Sequence, residues 1–265
     1  MTYIPYVPRN FDIFIGIDTD KHRYSFTVKD QAVMSRSKTI PADPKQMYNY
    51  IRNHFADKHV VCAYEAGPTG FGLHDYLIRQ RQLCFVVSPL SMPQIPNRIV
   101  KNNRLDSDKL AQELKSGSVD PIRVPEGPYR ELRHLINLRE NYARLQMTAK
   151  QRIKGLLLYT SLHTELQDAK QHWSNLYIQK LKVISCSPAE RTRLNMLLMD
   201  LSYARQQQRI VLRQIRLLCN NDRSLNEHRQ NLQTIPGIGF ITAVTLLGRM
   251  GDPRLLRTER EIGAF

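Results

Sequence analysis

The segment FDIFIGID, residues 11–18, decides the fold because it is apolar on both sides of an extended chain. Its three isoleucines alternate with Phe14 and Gly16, a pattern that predicts a strand buried on both faces of a sheet. The segment ends on Asp18, and a charge at the end of a buried strand is costly unless another group pairs with it. A metal ion shared with other carboxylates would meet that requirement, so the positions of the later acidic residues matter.

The charge balance points to a polyanionic partner. The 265 residues include 39 Lys and Arg against 24 Asp and Glu, a formal net charge of +15 with a pI near 9.8. Residues 1–120 carry 16 basic and 12 acidic side chains, a net charge of +4, whereas residues 129–216 carry 16 and 6, a net charge of +10. Such an excess is most simply explained by nucleic-acid binding, centred on the middle of the chain.

Cysteine usage and hydropathy exclude other classes. The four cysteines are scattered without a C-x-x-C pair, which argues against a disulfide framework or a zinc site. We find neither a signal peptide nor an apolar run long enough to cross a bilayer. We therefore expect a cytoplasmic protein with no membrane partner.

Strand and helix patterns alternate over residues 1–120. We predict strands over 11–18, 21–30, 32–40, 59–65 and 83–88. We predict helices over 43–55, 71–80 and 107–115, the last preceded by a turn that begins near Asn103. Asp43 is the expected N-cap of the first helix, with Pro44 at its first position. The order predicts an α/β domain, a mixed sheet with helices packed on it.

The rest of the chain has a helical pattern. From about residue 128 to 220 leucines and isoleucines recur at spacings of three and four, with breaks near 163–173 and 185–188. This pattern predicts a long helical hairpin or antiparallel coiled coil over residues 121–222. QNLQTIPGIGFITAVTLL, residues 230–247, then predicts a helix, a Pro-Gly-Ile-Gly turn and a second helix within a third, partial all-α domain over residues 223–265.

Three acidic residues occupy positions that nucleases of the ribonuclease H type use for metal binding. Asp18 ends the first strand, Glu65 ends the fourth strand, and Asp106 lies on a later helix. Carboxylates suit Mg²⁺, and two such ions would activate water and stabilise the leaving oxygen. Any one of these residues alone is as easily explained as structural or exposed. Asn103 precedes Asp106 by three residues and shares its helical face, but offers only a carbonyl oxygen.

Four segments together resemble one protein family. They are IGID at 15–18, YEAGPTG at 64–70, KNNRLDSDKLA at 101–111 and TIPGIGFITAVTLL at 234–247. In order and spacing they resemble the DEDD insertion-sequence transposases, bridge-RNA-guided recombinases with a RuvC-like N-terminal domain and a C-terminal serine transposase domain. The resemblance runs from about residue 11 to 265 and implies a ribonuclease H-like fold for the first domain.

The resemblance also implies roles for individual residues. Asp18, Glu65 and Asp106 match three of the four acidic positions that bind Mg²⁺ and act in catalysis, while Asn103 stands at the fourth, a departure from the pattern. The family's nucleophilic serine lies downstream of the Pro-Gly-Ile-Gly segment, and Ser224, which precedes that segment, does not match it. The resemblance thus implies a truncated copy or one piece of a larger product, which we do not expect to carry out strand transfer alone.

Two features are candidates for nucleic-acid contact. The turn that contains Gly237 and Gly239 resembles that of a helix-hairpin-helix motif, in which open backbone N–H groups can bind a phosphate. The alternative is a compact turn that packs Ile235, Ile238 and Ile241 in the core. Basic residues of the helical region form the second candidate, although a solvated charged surface is the common alternative. These residues are Arg139, Arg144, Lys150, Arg152, Lys154, Arg205, Arg209, Arg213 and Arg216.

Three functional hypotheses remain from the sequence. The first is a transposase that binds DNA and a structured guide RNA and forms a homo-oligomer through the leucine-rich helices. The second is a stand-alone RuvC-like endonuclease, or resolvase, that acts on branched DNA. The third is a non-catalytic nucleic-acid-binding remnant. Trp173 and the tyrosines could stack on bases, although we expect core packing for most of them.

Overall fold

The computed structural model describes residues 6–32, 35–88, 103–163 and 173–256, without the side chains of residues 103 and 104. The chain divides into two compact units, with the boundary between Val124 and Pro125.

The first unit is built on a five-stranded sheet. Its strands are β1 (Ile13–Thr19), β2 (Arg23–Asp30), β3 (Ser35–Pro41), β4 (Val60–Glu65) and β5 (Leu83–Val87). They lie in the order β3-β2-β1-β4-β5, with β1, β2 and β3 antiparallel and β4 and β5 parallel to β1. This topology confirms the predicted mixed sheet and is consistent with a ribonuclease H-like domain.

The two faces of the sheet carry different helices. The helices of this unit are α1 (Pro44–Phe55), α2 (Gly72–Arg79) and α3 (Asn103–Ser116). Ile15 and Ile17 share a core with Met47 of α1 and Leu77 of α2 on one face. On the opposite face, residues of β1, β4 and β5 share a core with α3; they are Phe14, Val61, Ala63 and Val87. Burial on both faces explains why β1 is apolar at every position up to Asp18.

Local signals begin α1 as the sequence predicts. Asp43 is its N-cap, with the carboxylate accepting a hydrogen bond of 2.9 Å from the backbone N–H of Lys45, and Pro44 is the first helical residue. By contrast β3, whose side chains are mostly exposed, begins at Ser35, whereas the sequence predicts a start at residue 32.

The second unit is helical throughout its described part. Its helices are α4 (Gly127–Tyr159), α5 (Asn175–Val183), α6 (Pro188–Asn221), α7 (Arg223–Gln233) and α8 (Phe240–Met250), followed by a short 3-10 helix (Pro253–Leu255). The first half of α4 packs with the second half of α6, where Leu132 and Ile215 share an apolar cluster. The second half of α4 packs with the first half of α6, where Ile153 and Leu194 share another. The two long helices are therefore antiparallel. Their detailed coiled-coil geometry stays a prediction.

Helices α7 and α8 share the core at one end of α4 and α6. Leu225 of α7 and Leu247 of α8 lie in the same apolar cluster as Leu132 of α4. A polar contact joins the same elements, since the hydroxyl of Tyr129 lies 2.6 Å from Nδ1 of His228. The predicted domain boundary at residues 222–223 stays a prediction. Each helix in the described ranges is too polar or too short to serve as a membrane span.

Candidate functional site

The closest approach between the sheet and α3 lies at Gly16, in the middle of β1. A Cβ atom at this position would stand 2.2 Å from the carbonyl oxygen of Ser107 and 2.5 Å from the backbone nitrogen of Ala111. Only glycine therefore allows α3 to lie this near the strand. The buried hydroxyl of Ser107 also lies 2.9 Å from the hydroxyl of Thr27 on β2, within hydrogen-bond distance. These contacts hold the first half of α3 against β1 and β2.

Parallel pairing of β1 with β4 brings two acidic residues side by side. The register pairs Ile17 with Tyr64, and Asp18 and Glu65 are the next residues along the two strands. Because side chains alternate along a strand, both belong to the same face of the sheet as Gly16, the face that α3 covers. Both residues are half-buried. Two of the three predicted acidic residues are thus neighbours at one end of the parallel strands.

Asp106 belongs to the first turn of α3 and is half-buried. Phe14 shares a core with later residues of α3, whereas Gly16 approaches Ser107 near the helix start. Moving along β1 toward Asp18 therefore corresponds to moving along α3 toward its first turn. A carboxylate there is also favoured by the helix dipole. The fold thus directs the helix end that carries Asp106 toward the strand ends that carry the other two acids.

The remaining polar residues at the start of α3 have separate positions. The carboxylate of Asp108 lies 3.1 Å from Nζ of Lys29 on β2 and accepts a 3.1 Å hydrogen bond from the Ser35 hydroxyl on β3. Asp108 is therefore directed toward β2 and β3, as expected from its different helical phase. The side chain of Asn103 lies outside the described residues, so its part in metal binding stays a prediction.

Glu113, two turns after Asp106, is a half-buried carboxylate that the sequence analysis missed. Burial raises the pKa of Glu113, the positive charge of Lys109 lowers it, and the negative charge of Glu65 raises it. Glu113 therefore lies within electrostatic range of Glu65. The available signal was the spacing of seven residues, which places Asp106 and Glu113 on one side of a helix.

The acidic residues do not form a complete metal-ligand cluster. Among the residues that the structure describes, no three His, Cys, Asp or Glu side chains are grouped so that they could hold a metal ion. The chemistry of the predicted donors nevertheless suits Mg²⁺, since Asp18, Glu65 and Asp106 would offer only oxygen atoms. The predicted Mg²⁺ site therefore stays a prediction.

Four of the predicted nucleic-acid-binding residues crowd together between α4 and α6. Burial and the charges of Arg205 and Lys154 lower the pKa of Lys150, and burial and the charge of Arg209 lower the pKa of Arg205. Arg205 donates a 2.7 Å hydrogen bond to the carbonyl oxygen of Trp173, and Nζ of Lys150 lies 5.8 Å from the centre of the indole ring. Trp173 is half-buried against the helices, which favours packing over base stacking. The mutual repulsion of these cations marks a site suited to an anion.

The other predicted basic residues are spread along the same two helices. The guanidinium of Arg216 lies 5.6 Å from the ring centre of Phe240, and Arg144 donates a hydrogen bond to the side chain of Asn141. Arg139 is half-buried, whereas the two remaining side chains are exposed; these are Arg152 and Arg213. The arginines of α6 recur at spacings of three and four along the helix. The crowded cations are concentrated near Arg205.

The turn between α7 and α8 has an open structure. Gly237 has φ +87°, in the left-handed region that favours glycine, and a Cβ there would meet nothing within 4 Å. Gly239 is the N-cap of α8 and provides no side-chain hydrogen bond to the helix start. The alternative of a compact turn requires three buried isoleucines, but one is 49% exposed and the others are half-buried; they are Ile235, Ile238 and Ile241. This exposure favours an accessible turn.

Two family models match the chain. Residues 15–161 match the DEDD transposase model of the IS110 type, described as "Transposase". Residues 229–265 match a second model, described as "Transposase IS116/IS110/IS902 family". The first match includes the sheet, α3 and α4, and the second includes the turn between α7 and α8.

Curated relatives with similar sequences are described as transposases. A putative transposase y4qE of Sinorhizobium fredii is 27% identical over 175 residues, which are 64% of this chain and 44% of the relative. The transposase for insertion sequence element IS1111A of Coxiella burnetii is 23% identical over 62% of this chain and 44% of its own length. The transposase for insertion sequence element IS1533 of Leptospira borgpetersenii is 25% identical over 61% of this chain and 47% of its own. The matched region thus spans less than half the length of each relative.

Proposed function

This chain belongs to the IS110 family of DEDD transposases, and from that premise we propose that it acts in DNA recombination by a bacterial insertion sequence. The observation that carries the proposal is the pairing of β1 with β4, which makes Asp18 and Glu65 neighbours on the face that α3 covers. The family match includes all three of the elements that hold the predicted acids.

The acidic residues are proposed to bind Mg²⁺ and to act in catalysis. Asp18, Glu65 and Asp106 would hold the metal, with Asn103 contributing a carbonyl oxygen. When bound, Mg²⁺ would supply an activated water and stabilise the oxygen that leaves during phosphodiester cleavage. The half-burial of the three carboxylates supports this role, because partial removal from water strengthens their interaction with a cation. Glu113 lies within electrostatic range of Glu65 and would add to the negative potential of the site.

The second unit is proposed to bind DNA and a structured guide RNA. The crowded cations around Arg205 support this role, because a phosphate backbone would relieve their repulsion. The turn at Gly237 and Gly239 would add a phosphate contact through the first backbone N–H groups of α8, which have no partner within the helix.

Self-association through α6 is proposed as well. Four exposed side chains recur every seven residues along the helix: Met196, Tyr203, Ile210 and Leu217. Between 41% and 62% of each is exposed. A repeat of seven residues keeps them in one stripe along the helix, and exposed apolar stripes of this kind mark protein interfaces.

Two substitutions on α3 test the acidic site with a matched control. Asp106→Asn and Asp108→Asn remove the same charge two residues apart, but Asp108 is held by Lys29 and Ser35 on the other side of the helix. We would measure Mn²⁺ binding by electron paramagnetic resonance, together with Mg²⁺-dependent cleavage of labelled branched and linear DNA with and without co-purified RNA. We expect Asp106→Asn to weaken metal binding at least about tenfold and to abolish any cleavage, and Asp108→Asn to retain both.

If Asp106→Asn retains metal binding, or if both variants lose metal binding equally, the proposal that the acidic residues bind the metal is overturned. Cleavage of branched DNA that needs no RNA would instead favour the resolvase-like endonuclease. Salt-sensitive nucleic-acid binding without bound metal in either protein would favour the non-catalytic remnant.

A further inference from the structure

A groove of about 980 Å³ lies between α5 and α6 in the second unit. Both walls are helical, and the residues of the groove come from Asn175 to Lys182 on α5 and from Asn195 to Arg209 on α6. Arg191 fixes one end of this arrangement, because its guanidinium donates hydrogen bonds to the last carbonyl oxygens of α5, including that of Lys182 at 2.8 Å. The groove is therefore a built feature of the helical fold.

The charge of the groove is positive. Lys182, Arg205 and Arg209 line it, and none of the lining residues in the described part of the chain is acidic. Arg205 donates a hydrogen bond to a neutral carbonyl oxygen, that of Trp173, and within the described residues no carboxylate forms an ion pair with it. Burial and the charge of Arg209 both disfavour the charged form of Arg205 and lower its pKa. A bound anion would remove this repulsion.

Amide side chains line the same groove. They are Asn175, Gln179, Asn195 and Gln208. Within the described residues none of the four makes a hydrogen bond to another part of the chain. Each amide offers two donors and an acceptor, the groups that bind the exposed edges of bases. The groove therefore presents cations and amides on one concave surface.

Resting on the nucleic-acid binding proposed above, we propose that the groove between α5 and α6 binds an unpaired nucleic-acid strand. Phosphates would lie on Lys182, Arg205 and Arg209, and base edges would contact the amides. A concave groove of this volume accommodates a few unstacked nucleotides, whereas a duplex presents a broad convex surface that contacts helices from outside. An unpaired strand also exposes the base edges that a duplex engages in pairing.

The test compares two double variants with the same loss of charge on the same two helices. Lys182→Gln with Arg209→Gln removes two exposed cations from the groove and leaves the bond between Arg205 and Trp173 intact. Lys180→Gln with Arg193→Gln removes two exposed cations from α5 and α6 outside the groove. Binding of fluorescein-labelled 15-nucleotide RNA, DNA of the same sequence and the corresponding DNA duplex is followed by anisotropy over a range of salt concentrations.

We expect the groove variant to weaken single-strand binding by about tenfold and to lower the salt slope by about 1.4, which is 0.7 for each lost phosphate contact. The control variant should change single-strand affinity less than about threefold. Stronger loss on RNA than on DNA would identify RNA as the source of the strand, and the reverse would identify DNA. Replacing Gln179 and Asn195 by Ala should weaken binding while leaving the salt slope unchanged, because amides release no counterions.

Equal losses in the two double variants would overturn the groove as the site and leave general basic binding in place. A loss on the duplex as large as that on single strands would overturn the preference for an unpaired strand. If the unaltered protein binds none of the three probes, the nucleic-acid binding under the proposed function fails together with this inference, an outcome distinct from the other two. Circular dichroism of each variant establishes that it is folded.

Discussion

Replacing Gly16 by alanine tests the packing of α3 on the sheet. The new Cβ would stand 2.2 Å from the carbonyl oxygen of Ser107, more than 1 Å inside ordinary contact, and this oxygen belongs to the backbone and cannot rotate away. Strand β1 is central in the sheet, so the helix must move. Overpacking of this kind costs about 1–3 kcal/mol, and loss of the buried hydrogen bond between Ser107 and Thr27 adds about 1 kcal/mol. We expect a total destabilisation of about 2–4 kcal/mol.

Gly155→Ala provides the matched control. Gly155 lies inside α4, and a Cβ there would meet nothing within 4 Å. Alanine is the better helix former, so this variant should gain about 0.5–1 kcal/mol. The same chemical change thus has opposite expected signs at the two positions.

Each unit has its own spectroscopic or chemical reporter for urea unfolding. The only tryptophan, Trp173, belongs to the second unit, whereas the buried thiols of Cys62 and Cys84 belong to the first. With a urea dependence of about 2 kcal/mol per M, Gly16→Ala should lower the midpoint of Cys62 and Cys84 labelling by about 1–2 M. A change in the labelling midpoint below about 0.3 M would refute the close packing of α3 on β1.

Two further changes test polar contacts in the second unit. Tyr129→Phe removes the hydroxyl that lies 2.6 Å from Nδ1 of His228. It should lower the unfolding free energy by about 1–2 kcal/mol in tryptophan-monitored urea titrations. The control is Tyr159→Phe, because the side chain of Tyr159 is 86% exposed, and equal effects of the two changes would contradict the hydrogen bond. The Arg254 guanidinium donates a hydrogen bond to Asp252 and holds the pKa of this carboxylate below its usual range. The ionised Asp252 therefore stabilises the fold above the unfolded-state pKa of about 4. This stabilisation is lost as the pH falls through the lower pKa of the folded state. The stability difference between the unaltered protein and Asp252→Asn should therefore shrink from about pH 6 to about pH 2, and a pH-independent difference would contradict this assignment.

The sequence predicted the elements of the first unit well because local patterns determine them. Two-sided apolar runs identified β1 and β4, and Asp43 with Pro44 identified the start of α1. The start of β3 was less well predicted, because an exposed edge strand carries little hydrophobic pattern.

The missed features of the candidate sites depend on contacts between distant residues. Nothing local to Gly16 shows that Ser107 packs against it, and nothing local to Glu113 reveals the charge of Glu65. The groove between α5 and α6 likewise requires the packing of two helices, so the position of Lys182 in it was not apparent from its neighbours in sequence. The acidic residues themselves could be proposed from the sequence because strand ends are visible in the pattern, whereas the arrangement of their side chains is not.

The contact at Gly16 also has a consequence for synthesis of the chain. Helix α3, which covers one face of β1, follows that strand by roughly 90 residues in the sequence. Most of the first unit must therefore leave the ribosome before α3 can cover this face of the sheet. Until then, Phe14, Val61 and Ala63 remain exposed to solvent and to other nascent chains. We expect a chain arrested between β5 and α3 to keep this apolar face exposed and to be prone to aggregation.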